Sequence, residues 1–470
     1  MSKGMKQTYT VKASALAYGL VVMTMVAILL SSIVTFIIGQ TQYALKVHAR
    51  EQSFQIAETG IQFYRWYLAH QVEGRTAQQI ADFWATGSPY GVATPYEVEY
   101  TDPGGSPVGR YRLVVTPPSN GSSLVTVEAT GWTYRYPTIT RVIEVRFRKP
   151  VWSEYIVLSN DNLRFGAGTE VFGKIHSNYG IRFDGFAHNV ISSSLSQYND
   201  PDHTGGDEFG VHTHDSPTDP LPPTAVPDRS DVFGGGRSFP TATTDFNGVL
   251  GDLSYIKSVA QAGTDGSLYF DNAHQGRHII LNVNDTFSIR TVRSFNASNN
   301  EINSYQGGWS TYQIPNDGVI FVENNVWLEG AVNGKRVTIV AANLISSSQK
   351  SIYIGKDIRY TSYDCSDIIG IIGQNDVEIY QGSENDLRID GAMIAQTGRA
   401  GRDHYTGAGA TKSVLTIYGA IASNQRYGFA WTDGTGYTTR NLYYDNNLLY
   451  CPPPYFPTGT QYEMDLWEER

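Results

Sequence analysis

Between Ala13 and Leu45 the chain carries no Asp, Glu, Lys or Arg, and that absence limits the folds open to it more than any other feature. The core of this stretch, Leu16 to Ile38, reads LAYGLVVMTMVAILLSSIVTFII. A helix of ~20 apolar residues crosses a bilayer, so the run is long enough to do so. No cluster of Pro or Gly ends it. From Gln40 to Leu68 the apolar residues Val47, Phe54, Ala57, Ile61, Tyr64 and Leu68 fall on one helical face. The spacing predicts one helix that leaves the membrane and lays its stripe on the first folded domain. Lys3, Lys6 and Lys12 precede the run without an acidic neighbour, and a mixed flank of Lys46, Arg50 and Glu51 follows it. The positive-inside rule then places the N-terminus in the cytoplasm and exports the body, in a single pass of the cytoplasmic membrane. An ordinary secretory signal has an apolar region of only ~7–15 residues and a small-x-small cleavage site.

Two phrases give the run a family likeness. The first is Lys12-Ala13-Ser14-Ala15-Leu16-Ala17 before the aliphatic stretch. The second, Ser53-Phe54-Gln55-Ile56-Ala57-Glu58-Thr59-Gly60 with Ile61 following, is the more specific. Together they resemble the N-terminus of PilX-type minor pilins and pseudopilins. The resemblance spans about the first 75 residues. It implies a leader of residues 1–13 clipped by a prepilin peptidase between Ala13 and Ser14, with Lys12 before the cut. It also implies helix packing into a type IV pilus-like or type II secretion filament, with Phe54, Ala57, Glu58, Gly60 and Ile61 in the packing region. The chain departs from the family at two places, with Ala13 where the leader normally ends in Gly and Tyr18 where the mature chain normally carries Glu. That Glu can pair with a neighbouring N-terminal amine, and Tyr18 cannot. Without the resemblance, Ala57–Gly60 is an ordinary polar turn of helix.

The period then changes. Residues 14–86 read as helix, with Gly87-Ser88-Pro89 stopping it. Residues 96–149 alternate with period two. YEVEY (96–100), GRYRLVVTP (109–117), SLVTVEATG (123–131) and ITRVIEVRFRK (139–149) read as four strands of a small antiparallel sheet. Ile143, Val145 and Phe147 alternate with Val142, Glu144 and Arg146, which predicts one buried and one wet face. The buried face is the partner that the helical stripe needs.

Pro150 marks a boundary. Over 150–450 short strand-like runs recur, among them TEVFGKIHS, RVTIVAA, DIIGIIGQ, LRIDGAMIAQ and LTIYGAIAS. The phrases RIDGAMIAQ and TIYGAIAS repeat loosely, without a fixed period. The predicted architecture is therefore α+β: a long helix, a small antiparallel sheet, then a large mainly-β domain. That domain reads as a parallel β-solenoid, with a β-sandwich as the alternative. Residues 198–317, rich in Pro, Gly and Asp at their start, read as an insertion that interrupts the rungs, and 451–470 as a C-terminal tail. The aromatics from Tyr427 to Phe456 are assigned to plugging an open solenoid end, with stacking on sugar rings as the alternative.

Chemistry is sparse. With 35 basic and 45 acidic residues the net charge is −10, and no basic stripe suggests a nucleic-acid partner. Cys365 and Cys451 can form one disulfide in an oxidising space, although their separation in sequence gives no evidence of a bond, and with no CxxC a zinc site is not expected. His203, His212, His214 and Asp215 lie close in sequence, and His212-x-His214 is the candidate for a metal pair, against the plainer reading of a polar loop. His176 and His188 read as satisfying turns. Asp184, Asp390 and Asp403 are the candidates for paired acids of a β-helix enzyme, but Asp184 and Asp390 each stand in an Arg-(Phe/Ile)-Asp-Gly phrase, and Asp before Gly is ordinary turn chemistry. Gly234–Gly236 and Gly398–Gly409 lack the Lys-Ser/Thr of a phosphate loop. No cofactor and no catalytic residue is assigned. The expectation is a structural minor pilin, partnered by other pilins and the membrane, that displays its β domain at the cell surface for adhesion or assembly, with surface glycans as a further partner class. A membrane-tethered enzyme or binding module acting on polysaccharide is the alternative.

Overall fold

The computed structural model describes residues 10–72, 75, 77–87, 90–118, 124–149, 151–244, 246, 248–457 and 462–470. Lys3, Lys6, Ser88, Pro89, Pro150 and the turn at 119–121 lie outside them.

The first helix, α1 (Thr10–Val72), is unbroken over 63 residues, about 95 Å at the standard helical rise. Its two halves meet different surroundings. From Leu16 to Ile38 the apolar side chains are bare, Leu16 at 76% and Phe36 at 66% exposure. From Ile56 onward, Ala57, Ile61, Tyr64, Leu68 and Val72 are buried against Leu113, Val127, Ala129, Ile143, Val145 and Phe147. Val47 lies beyond the sheet and stays exposed. The predicted stripe thus finds its partner from Phe54 on.

That partner is an antiparallel sheet of β1 (Tyr96–Thr101), β2 (Pro107–Thr116), β3 (Val125–Thr133) and β4 (Thr140–Arg148). β3 alternates strictly between buried and half-buried positions, as a sheet with one covered face requires. Helix and sheet approach closely at Gly131, where an added Cβ would lie 2.2 Å from the Ser53 carbonyl oxygen and 2.5 Å from the Ala57 nitrogen. Ser53 fixes the contact by donating its hydroxyl to the Ile139 carbonyl at 2.9 Å.

A fifth strand completes the sheet, and it comes from the end of the chain. Residues Glu463–Glu469, expected within a tail, pair antiparallel with β4. Trp467 reaches Phe54 edge to face, and Arg470 holds Glu144 at 2.7 Å. The large domain is therefore inserted between the fourth and fifth strands of the small sheet. Arg148 pins both crossings, binding Glu154 on the way out and Asp465 on the return at 2.8 Å. These paired carboxylates raise its already high pKa further against the opposing effect of burial.

In the large domain the pairing is mostly parallel. The repeated phrases stack in register, with Ile389 against Ile417, Gly391 against Gly419 and Ala392 against Ala420. One aliphatic column shows how the rungs are ordered: Leu268, Ile320, Ile339, Ile371, Met393, Ile421, Val157, Ile175 and Ile191 are successive partners. The chain enters in the middle at Val157 and runs to Ile191 and Arg237. It then returns through the helix Gly248–Ala262 to begin again at Leu268, and the second run ends by pairing Ile421 with Val157. Leu253, Ile256 and Ala260 of that helix pack on Val319 and Phe321.

The stretch 198–317, read from sequence as an interruption, is thus divided. Leu268–Phe270 and Gly276–Asn282 are members of the parallel ladders, the latter against Asn325–Gly330. Thr286–Asn296 and Glu301–Gln313 form an antiparallel hairpin whose tip packs on the ladder, Phe295 against Trp327 and the Trp327 indole donating to the Asn300 carbonyl at 2.8 Å. Cys365 and Cys451 are bonded, their Cα atoms 5.9 Å apart. The segment after Cys451 lies along the side of the ladder, where Arg336 donates to the Pro452 carbonyl at 2.9 Å and Phe456 is buried with Val340 and Ile368. Of the C-terminal aromatics expected at an open end, Tyr455 and Phe456 cover this flank, while Phe429 and Tyr437 are buried in the main core of the ladder.

Candidate functional site

Two regions gather the residues singled out from sequence. On α1, Lys12, Ala13 and Ser14 fall within the helix. Ala57, Gly60 and Ile61 face the chain's own sheet, and a Cβ on Gly60 would stand 2.9 Å from the Tyr111 ring. Phe54 is half-buried between Trp467 and Arg141, and Glu58 is half-exposed. The packing phrase is thus used largely within the subunit. The apolar surface still free to meet other molecules lies N-terminal to it, from Leu16 to Ile38.

The second region is built on the first rungs of the large domain. Gln197–Tyr198 pairs antiparallel with Glu208–Phe209, and Val211–His212 pairs parallel with Ile181–Arg182. These pairings bring Asp200, Glu208, His212 and His214 together, one donor atom of each within 4.8 Å of all the others. His212 Nε2 lies 2.7 Å from Glu208 Oε2 and 3.7 Å from Asp200 Oδ2, and His214 Nε2 lies 2.6 Å from Glu208 Oε1. Asp200, Glu208 and His212 are buried. The exposed His203 borders the cluster, edge to face with His214 and 3.5 Å from Glu208. His212 and His214 were legible as a pair, but Asp200 and Glu208 were not singled out. The signal available was Glu208-x-x-x-His212-x-His214, which points to one centre only once the short hairpin is known. Asp215 instead donates its backbone N–H to Thr213.

The three carboxylates weighed for catalysis sit in three separate arginine pairs. Arg182 Nε reaches Asp184 at 2.8 Å, Arg388 Nε reaches Asp390 at 2.7 Å and Arg399 reaches Asp403 at 2.6 Å. Asp390 is not in a turn, contrary to the sequence reading. It is wholly buried inside the strand Asp386–Ala395 and also accepts from the Tyr363 hydroxyl at 2.8 Å. Its spacing from Arg388 is the reason, since residues two apart share a strand face. His176 is buried within a strand and meets Ser192 Oγ at 2.9 Å, and burial lowers its pKa. His188 meets Glu170 at 2.6 Å.

Glu378 was missed from sequence. Burial, and then the charge of Asp403, push its pKa from 4.5 to about 8. The raised value means its contribution to stability is complete below about pH 4.5 and is lost as pH rises toward 8. Glu378→Gln should therefore raise the unfolding midpoint of the full chain more at pH 8 than at pH 5. An equal difference at both would show that the carboxyl does not hold its proton in the fold.

No protein-family model matches the chain, and no curated protein does. Among solved structures it is similar to the competence-associated pilin ComZ from Thermus thermophilus. The identity is 12%, over 90% of this chain and 98% of that one, with a TM-score of 0.33.

Proposed function

We propose that this chain is a membrane-anchored, pilin-like structural subunit of the minor-pilin type, exported with its N-terminus inside. It joins or primes a type IV pilus-like filament and carries a large parallel β-solenoid outward for adhesion or assembly. The observation that carries the reading is the division of α1. One half is packed on a five-stranded sheet, and the other is a bare apolar rod that needs a bilayer or neighbouring helices to cover it. The two N-terminal phrases support the PilX-like assignment. The parallel registers and the single aliphatic column support the solenoid over a sandwich, whose sheets are ordinarily antiparallel. Insertion of the solenoid between two strands of the small sheet suits display, because both of its connections lie beside the sheet rather than on the apolar rod. The working parts are the helix from Ser14 to Ile38 and the sheet that fixes its direction. No reaction is assigned.

The test is recovery of the full chain from sheared surface filaments and from membranes, with the wild type and Leu29→Arg compared. A charged residue near the centre of a spanning helix costs ~2.5–3.5 kcal/mol of insertion. The wild type should be found in both fractions and the variant depleted from both. A wild type absent from filaments that otherwise assemble would contradict the filament role, and a variant recovered like the wild type would contradict the anchor.

A further inference from the structure

We infer that Asp200, Glu208, His212 and His214 form a binding site for one divalent transition-metal ion of the zinc type. The first argument is what the cluster leaves unpaired. Asp200 Oδ2, Glu208 Oε2 and His212 Nε2 are all buried, yet none makes a hydrogen bond of acceptable geometry among the described residues. They nevertheless converge, at the 2.7 Å and 3.7 Å separations already given. A buried polar atom left without a partner is costly, and three aimed at one another are more so.

The second argument is the orientation of His212. Its Nδ1 lies 3.3 Å from the Phe209 carbonyl. A carbonyl only accepts, so Nδ1 is the donor of that pair and Nε2 is the nitrogen turned toward the carboxylates. Nε2 faces oxygens of both Glu208 and Asp200. A cation shared among these three atoms would hold them together. A second hydrogen bond that fixes the far nitrogen of an imidazole is the usual support of a metal-bound histidine. Asp200 is oriented in the same way, its Oδ1 accepting the Asp202 N–H at 3.0 Å while Oδ2 turns inward.

The third argument is charge. Two buried carboxylates bring two negative charges, and the nearest arginine nitrogen, on Arg182, is 3.8 Å from Asp200 and already bound to Asp184. One dication balances the pair. Two imidazoles with two carboxylates are nitrogen and oxygen donors of intermediate hardness, which suit zinc and its neighbours better than calcium or magnesium, whose sites are built of oxygen alone. Bonds of ~2.0–2.2 Å to four donors in a tetrahedron set those donors roughly 3.3–3.6 Å apart. The present donor atoms lie within 4.8 Å of one another, close to that range. The exposed His203 lies on the solvent side of the cluster, 3.5 Å from Glu208. The bound ion would tie the hairpin 197–209 to the strand Val211–His212 on the first rungs, with no need for a cysteine ligand.

The experiment uses the full chain in detergent, stripped with a chelator and titrated with zinc chloride by calorimetry. Cobalt(II) then serves as a second probe, because its visible absorption reports ligand number and type. The wild type should bind one equivalent of zinc and show a cobalt spectrum of low coordination number. Glu208→Gln and His214→Gln should each weaken zinc binding by at least about a hundredfold, and His188→Ala, away from the cluster, should not. A rise in unfolding midpoint with zinc should be seen in the wild type and lost in the two cluster variants. Absence of saturable binding in the folded wild type, or equal affinity in wild type and both cluster variants, would overturn the proposal. The cluster would then be a polar contact in which Glu208 bridges His212 and His214. None of these outcomes bears on filament assembly.

Discussion

Replacing Gly131 by valine should speed hydrogen exchange of the β2, β3 and β4 amides by roughly 30- to 1000-fold, equivalent to about 2–4 kcal/mol. The reason is where the new atoms go. A Cβ at this position would stand 2.2 Å from the Ser53 carbonyl oxygen and 2.5 Å from the Ala57 nitrogen. Both are backbone atoms of α1, so no side-chain rotation relieves the clash and the helix must move off the sheet. Ile56, Ala57 and Ile61 would then lose their fit to Val127, Ala129 and Ile143. The amides of Asp386–Ser423 should exchange as before, because their core is a separate cluster. Gly308→Ala, with nothing near its would-be Cβ, is the control. Unchanged exchange in β3 of the Gly131 variant would mean that helix and sheet are not held at this distance.

A loss of similar size is expected in the large domain from Gly419→Val. Gly419 has φ +155°, and its Cβ would lie 1.9 Å from the Gly391 carbonyl oxygen on the adjacent rung. Strands in a ladder stand ~4.8 Å apart, a spacing fixed by their hydrogen bonds, so the two rungs cannot separate without breaking the parallel pairing of Asp386–Ala395 with Thr411–Ser423. Ile389, Ile417, Met393 and Ile421 are all buried beside this point, so parting the rungs also opens the core. The full chain should lose about 3 kcal/mol or more in the unfolding of this domain, read as faster exchange across Asp386–Tyr444, with β1–β4 unaffected. Exchange in β1–β4 that rose as much would show that the two units unfold together.

Where local pattern decides structure, the sequence was legible. The α1 stripe and the alternation in β3 and β4 identify their own buried faces, because neighbours along the chain share the surface. RIDGAMIAQ and TIYGAIAS were visible only as a loose repeat, and the structure lays them in register on adjacent strands. What could not be read was partnership at long range. EMDLWEE mixes charged and apolar residues, all exposed, and nothing in it names β4 as its partner. HIILNVN is equally consistent with pairing to its hairpin neighbour and to Asn325–Gly330, and it does both. The entry of the chain into the middle of the ladder follows from the pairing of Ile421 with Val157, two residues with no local link. The His cluster divides the same way: His212-x-His214 is a spacing, whereas Asp200 reaches it only through the register of Tyr198 against Glu208.

The mature N-terminus bears most directly on the proposed role. Mass spectrometry of the chain, expressed with and without a prepilin peptidase, should find a peptidase-dependent terminus at Ser14. That product would leave the apolar helix at the head of the chain, as entry into a filament core requires. A terminus that does not depend on the peptidase, whether an uncut Met1 or a cut near Gly39, would contradict the account and leave a displayed β domain without a pilin's route to the surface.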